Sequence, residues 1–352
     1  MNKVNGKSGC SVKHINALFL PGTICKSLVY FGIRTTKFQV RVIYLAVWMV
    51  FLLVFIRVDF RFSLGDFIDV TERVCGCTSC IMDPQEDPWF MELYDSRVPK
   101  FMNRTNSNIS ALTYNWWMRL QRSRSLNLSD VVEPLFSLFR DEEHYSDSGP
   151  DRCRTCAVVG NSANMIRSHY GAMIDAHDFV FRMNHGPTQG YERDVGLKTT
   201  HRAIYPESAI DLDNSTHLVL LPFKVLDLQW LISVFTTKNI TRTYRAVKPT
   251  INANKDKVMI INPEFIRYVY ERWLMKNGKY PSTGFIILML AVHICDQVNV
   301  FGFGASADGR WHHYFDHWHH PSIHAGEHRG GVEYDVILKL EQQQRIKMYK
   351  GW

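Results

Sequence analysis

The first 41 residues contain no Asp or Glu at all, while holding Lys3, Lys7, Lys13, Lys26, Arg34, Lys37 and Arg41. That imbalance accounts for the whole net charge of +7, because the rest of the chain carries 34 basic and 34 acidic side chains. A basic face for nucleic acid is thereby excluded, since the excess is confined to one end. The chain also lacks a Walker sequence and a G-x-G-x-x-G fingerprint, which argues against the common nucleotide-binding loops. It has no internal repeat and no long low-complexity segment, so solenoids and tandem arrays are excluded. Long apolar runs are scarce too. The one that stands out, "VIYLAVWMVFLLVFI" from Val42 to Ile56, is short for a membrane span, which takes ~20 residues.

Flanking Arg41 and Arg57 can snorkel, and Phe38, Val40, Val58 and Phe60 lengthen the apolar character. A buried core helix is the competing reading. The acid-free basic flank favours an uncleaved signal anchor, because positive residues stay on the cytoplasmic side. The expected organisation is a cytoplasmic tail over 1–41, a transmembrane signal anchor over 42–58, a stem and start of the lumenal region over 59–90 and a lumenal domain over 91–352. Sequons at Asn103, Asn108, Asn127, Asn214 and Asn239 all follow the run, as expected of a lumenal segment. So do six of the eight cysteines: Cys75, Cys77, Cys80, Cys153, Cys156 and Cys295. An even number in an oxidising compartment fits three disulfides. "CGCTSC" with "CRTC" also has ligand-like spacing for zinc, although a gap of more than 70 residues between the two is unusual for a zinc ribbon.

From Cys153 onward the pattern alternates. "CAVVG", "HDFVFRMN", "THLVLLPF", "KVMIINP" and "VNVFGFG" read as strands, and "RIKMYKG" as a short last one. "NSANMIRSHYG" turns and becomes helical. "VLDLQWLISVF", "PEFIRYVYERWLM" with Pro at its start, "STGFIILMLAVHIC" behind a Ser-Thr cap and "VEYDVILKLEQQQ" read as helices. Short strands alternating with helices predict an α/β fold whose mostly parallel central sheet is flanked by helices on both faces. Such sheets bind ligands at the carboxyl ends of their strands. The segments there are "GNSAN", "RMNHGPT", "YPESA", "YPSTG" and "GFGASADGRWHHY". Each is ordinary turn chemistry taken singly. Together, their Gly-flanked amides and a helix starting at Ser282, Thr283 and Gly284 suit a phosphate.

Seven of the 15 histidines lie between Trp311 and Glu333. A metal site, acid–base catalysis and a solvated loop all remain open on composition alone.

The residues from "CAVVGNSANMIRSHYGAMIDAHDFVFRMNHGPTQGYERDVGLKTTHRAIYPES" resemble the large sialylmotif of animal sialyltransferases. "YPSTGFIILMLAVHICDQVNVFGFGA" resembles the small one, "HHYFD" the third, and "GEHRGGVE", with His328 and Glu333, the very small motif. The four stand in the family's order across roughly Cys153 to Glu333. "WWMRLQ", "LPFKVLDLQW" and "RYVYERWL" are most similar to the beta-galactoside alpha-2,3 members that use Galβ1-3GalNAc.

The resemblance implies a single-pass type II Golgi membrane enzyme with a Rossmann-like, GT-A-variant lumenal domain that needs no metal. It would transfer sialic acid, with inversion, from CMP-sialic acid to the 3-hydroxyl of a terminal galactose on O-glycans or glycolipids. It places Asn161, Asn184, Ser282, Thr283, Gly284, Gly304, Trp311 and His312 on the donor, and Gln121, Tyr244 and Tyr280 on the acceptor. His328 would be the general base, and His313 would stabilise the CMP phosphate. The implied pairings are Cys75 with Cys80, Cys77 with Cys153 and Cys156 with Cys295. The chain departs from the pattern at Ala163, where Gly is usual, and at Phe315-Asp316, where Trp-Glu is common. The histidines His317, His319, His320 and His324 read best as a solvated loop, with a zinc site as the rival.

Overall fold

Strands buried on both faces lose the polar/apolar alternation of half-exposed ones, and the segments here are accordingly almost uniformly apolar. The computed structural model describes residues 41–55, 74–120, 127–306, 309–316 and 328–351. Its strands are β1 (Thr155–Val159), β2 (Phe179–Met183), β3 (His201–Ile204), β4 (His217–Leu220), β5 (Val258–Ile260), β6 (Gln297–Phe301) and β7 (Lys347–Tyr349). They form one sheet in the order β5-β4-β3-β2-β1-β6-β7, and every pair is parallel.

The chain divides into two units, one up to Thr71 and one from Glu72. In the first, the run expected to be an anchor is helical over residues 41–55 with exposed side chains. Among the described residues, no helix is long and apolar enough to cross a membrane. The second unit holds the sheet. It includes residues before 91, from the stretch expected to be stem and start of the lumenal region. Cys77 is bonded to Cys153, Ile81 and Phe90 belong to the core, and Arg345 Nη1 donates to the carbonyls of Ile81 (2.5 Å) and Asp83 (2.6 Å). The cysteines are paired as Cys75–Cys80, Cys77–Cys153 and Cys156–Cys295, not grouped for zinc.

Alternate strand residues feed opposite layers. On one face, Cys156 and Val158 of β1 with Val298 and Val300 of β6 pack on a helix, Thr283–Ile294, whose side chains are buried almost all round. A helix apolar on every side has to be central. Ser282 caps it, its Oγ accepting from the amide of Phe285 at 3.2 Å. On the other face, Ala157 and Val159 join Val180 and Phe301, while Leu218, Leu220 and Ile260 pack on the helices Ser129–Leu138 and Val225–Phe235.

Most predicted elements are present; three differ. The stretch "HRAI" is a strand (β3), although His201 and Arg202 make it look polar. All four residues are buried, with Arg202 Nη1 donating to the carbonyl of Gly186 at 2.9 Å. "NSANMIRSHYG" forms only a single 3₁₀ turn, Ala163–Met165, and the helix waits until Gly171–Asp175. Arg167 and His169 between them take positive φ (63° and 57°), which ends any helix. The helix from Pro263 is α-helical to Tyr268 and then widens to π-type turns over Val269–Trp273.

His201 is 1% exposed, stacked between Phe181 (4.5 Å) and His217 (4.7 Å). Its two ring nitrogens meet the hydroxyls of Tyr145 (2.6 Å) and Thr200 (2.8 Å). Burial first, and then the charges of His217, Arg154, His144 and Lys257, hold its pKa well below the ordinary histidine value. Burial likewise lowers His293, to about 4.

Two outcomes are expected. Cys295→Ser breaks a bridge closing 139 residues between β1 and the end of the central helix, and should lower stability by ~2–5 kcal/mol. Non-reduced peptide mapping should recover the Cys156–Cys295 pair; two free thiols would overturn the assignment. Acid should also destabilise the fold. The unfolded chain protonates these histidines near pH ~6.5 and the folded one does not, so stability is full above that pH. It then falls as pH drops toward 5, by up to ~1.4 kcal/mol per pH unit per histidine. His201→Gln should melt lower at pH 7 but show a flatter decline in thermal melts from pH 7 to 5; an equally steep decline would clear His201.

Candidate active site

The sheet reverses its strand order between β1 and β6, and each of these strands is followed directly by a glycine. A Cβ on Gly160 would lie 2.2 Å from the carbonyl oxygen of Gly302, so no larger residue fits where the two loops separate. Gly302 itself has φ +69°. Gly160 donates to Phe301 O at 2.7 Å and Ser162 N to Gly302 O at 3.0 Å, which extends the pairing past the strands. Two side chains then lock the loops together: Ser162 Oγ donates to Gly304 O and Asn164 Nδ2 to Phe303 O, both at 2.7 Å.

Above this crevice lies a cavity of about 510 Å³. Asn161, Asn184, Ser282, Thr283, Gly284, Gly304, Trp311, His312 and His313 border it, and so do Tyr244, Tyr280 and His328. Twelve of the thirteen singled-out residues are thus brought to one space from six segments of the chain. Gln121 lies outside the described residues, as do His317, His319, His320 and His324. Among the described residues, no three His, Cys, Asp or Glu side chains are grouped to hold a metal ion.

Asn184 follows β2 with φ +52°, and its Oδ1 accepts from Ser208 Oγ at 2.8 Å. Gly186 packs against the Asn161 side chain, so the loops after β1 and β2 meet. The amide-rich start of the helix Thr283–Ile294 opens onto the same space and favours negative charge there.

The segment around His313 is held by its backbone. Ala163 N donates to His312 O and Tyr314 N to Asn161 O, both at 2.9 Å. The His313 ring stacks on Phe315 (5.0 Å), and its Nδ1 donates to Asp316 Oδ2 at 2.5 Å. A carboxylate at Nδ1 fixes which nitrogen carries the proton and leaves Nε2 for another partner.

His328 is oriented differently. Its Nδ1 lies 2.9 Å from the carbonyl oxygen of Tyr280, and the ring stands edge-on to the Tyr280 ring at 4.7 Å. A carbonyl can only accept, so Nδ1 carries the hydrogen and the neutral ring holds its lone pair on Nε2. That is the tautomer of a base.

Five residues further on, Glu333 is 6% exposed and accepts from both Ser282 N (2.7 Å) and Ser282 Oγ (2.5 Å). It stands in the first turn of the last helix, Gly330–Gln342, and ties that helix to the cap of the central one. Burial raises its pKa, while the Ser282 bonds and the nearby His328 oppose that rise.

Among the lining residues not singled out from sequence are the rings of Tyr205, Phe223 and Tyr334. Tyr205 opens "YPESA", which does follow a strand, but nothing in that segment marks the ring itself. Phe223 packs against Tyr280 at 5.1 Å and so shapes the wall beside His328. Burial raises the phenol pKa of Tyr205 and of Tyr244, so both present neutral hydroxyls.

Comparison with known proteins places the chain in a family. The profile of glycosyltransferase family 29 (sialyltransferase) matches residues 101–345. CMP-N-acetylneuraminate-beta-galactosamide-alpha-2,3-sialyltransferase 1 of Gallus gallus is 43% identical over 299 residues, 83% of this chain and 87% of its own. The corresponding sialyltransferase 2 of Mus musculus is 42% identical over 286 residues, 79% of this chain and 81% of its own. A crystal structure of a mammalian sialyltransferase in complex with Gal-beta-1-3GalNAc-ortho-nitrophenol superposes with a TM-score of 0.74 at 41% identity. It covers 79% of this chain and all of that one. With a family profile spanning most of the folded unit and relatives this similar over most of their length, the chain belongs to glycosyltransferase family 29, the sialyltransferases.

Proposed function

We propose that the protein transfers sialic acid from CMP-sialic acid to the 3-hydroxyl of a terminal galactose in Galβ1-3GalNAc, on O-glycans or glycolipids, with inversion. The observation that carries the reading is the Nδ1–H of His328 bonded to Tyr280 O, which leaves a basic Nε2 at the cavity. The names of the relatives and the disaccharide in the neighbouring crystal structure support the choice of donor and acceptor.

In this reading the galactose oxygen forms a bond to the anomeric carbon of sialic acid as the bond from that carbon to the phosphate oxygen breaks. CMP leaves with the electron pair, and the hydroxyl proton passes to His328 Nε2. A neutral imidazole is suited to the task because its ordinary pKa of ~6.5 lies near working pH. The departing negative charge meets three preorganised groups: His313, the glycine-flanked amides after β1 and β6, and the start of the central helix. Asn161, Asn184, Ser282, Thr283, Gly284, Gly304, Trp311 and His312 would hold the nucleotide and sugar. Tyr244, Tyr280 and Gln121 would line the acceptor. Each catalytic charge is then met by protein, so no metal is assigned a role. We also propose that the fold is the GT-A variant of its family. The basic acid-free flank, the apolar run over 42–58 and the sequons support a type II signal anchor in the Golgi membrane with the sheet unit lumenal.

His328→Ala should lower turnover by about 10²–10⁴-fold while CMP affinity holds, because the base touches the acceptor hydroxyl and not the nucleotide. His313→Ala should weaken donor binding as well. Turnover by His328→Ala above half of wild type would remove it from the role. Turnover in excess EDTA should equal that of the untreated enzyme; loss of rate restored by manganese would contradict the assignment of leaving-group charge to protein groups.

A further inference from the structure

The segment from Thr236 to Thr250, between the helix Val225–Phe235 and β5, holds Lys238, Arg242, Arg245 and Lys248 and no acid. A bridge between Arg242 and Ala246 and a bond from Thr243 N to Arg245 O (2.9 Å) close it into a tight turn. Tyr244 and Arg245 are exposed at its tip. Tyr244 lines the cavity, and the Arg245 guanidinium lies 5.5 Å from the centre of that ring. The charge of Arg245 also acts on the phenol of Tyr205, another lining residue. The guanidinium therefore stands at the cavity rim, on the side of the proposed acceptor residues.

The turn is anchored from below. Thr243 Oγ1 hydrogen-bonds Glu207, and Lys224 Nζ lies 4.9 Å from the centre of the Tyr244 ring. Lys224 is matched inside the protein by Asp227 (2.5 Å) and Glu207 (3.3 Å), and Lys248 by Asp211 (3.0 Å). Among the described residues Arg245, like Lys238 and Arg242, forms no ion pair with a carboxylate, and of these three it is the one that stands over a ring lining the cavity. An exposed guanidinium fork, fixed over an aromatic ring beside a sugar site, matches a two-oxygen anion.

We propose that Arg245 forms a subsite for an anionic group on the acceptor, so that a galactose acceptor carrying a sulfate or carboxylate next to the reacting sugar is used in preference to its neutral form. The proposal rests on the acceptor reading given above. The source of the anion is a sulfate ester or a sialic acid already attached, and the two are separated by using both.

The test compares Galβ1-3GalNAc with the same disaccharide bearing 6-sulfate or 6-linked sialic acid on GalNAc, scored as the ratio of kcat/KM to that of the neutral sugar. Wild type should favour at least one charged acceptor by about fivefold or more, with the preference shrinking as salt rises. Arg245→Gln should bring the ratio close to one, Arg245→Lys should keep part of it, and Lys248→Gln should leave it as in wild type. Equal use of all three acceptors by wild type overturns the subsite. So does a ratio unmoved in Arg245→Gln, or a donor KM raised in that variant equally with every acceptor, which would place Arg245 on the donor carboxylate. These outcomes leave transfer to the neutral disaccharide standing, whereas absence of transfer to any of the three overturns the acceptor reading and the subsite together.

Discussion

The approach of β1 to β6 is the constraint on which the rest of the cavity depends. The two strands pair in register from Thr155 with Gln297 to Val159 with Phe301, and their loops stay together for several residues beyond. That is possible only because Gly160 and Gly302 carry no side chain. Once the loops are held, Ser162 and Asn164 bind the carbonyls of Gly304 and Phe303, and the amides around them have fixed directions. The cost of ordering those amides is met during folding and not at the moment of reaction, which is what preorganisation requires. The Cys156–Cys295 bridge lies at the opposite end of the same strand and secures the central helix to it.

A second coupling joins this rigid base to the chemistry. Glu333 is a buried carboxylate, costly to hold unless its oxygens are bonded, and both are bonded to Ser282. Ser282 is at the same time the cap of the central helix. One serine thus links the helix whose start opens onto the cavity with the segment that carries His328. The burial of Glu333 and its two bonds to Ser282 tie the first turn of the last helix to that cap.

Much of the fold was legible because parallel strands under two layers of helix must be apolar, and apolar runs are easy to read. β3 escaped because His201 and Arg202 are polar, and only tertiary partners such as Tyr145 and the Gly186 carbonyl make them acceptable inside. The cavity was legible for a different reason: parallel sheets expose their loops at one end, so segments after strands could be gathered before their contacts were known. Individual roles within it were not readable from spacing. Asn161, Asn184 and His328 were carried by motif resemblance, and Tyr205 and Phe223, which carry no motif signal of their own, were missed. The rim turn at Tyr244–Arg245 is likewise invisible in sequence, since a basic stretch usually reads as a solvated surface.

The histidines show why composition cannot assign chemistry. His201 and His293 have their ring nitrogens met by hydroxyls or carbonyls, lie fully or largely inside the protein, and are held neutral by desolvation. They are core residues that happen to be titratable. His328 shares one feature with them, an Nδ1–H given to a backbone carbonyl, but its ring borders an open cavity and not a packed interior. His313 differs again, with a carboxylate at Nδ1 and half its side chain exposed. The same side chain is therefore packed into the core or left with a ring nitrogen facing the cavity according to what binds Nδ1 and what Nε2 is left to face. A cluster of seven in the sequence carries no such distinction. The distinction appears only when the sheet has placed Tyr280 O beside one ring and Asp316 beside another.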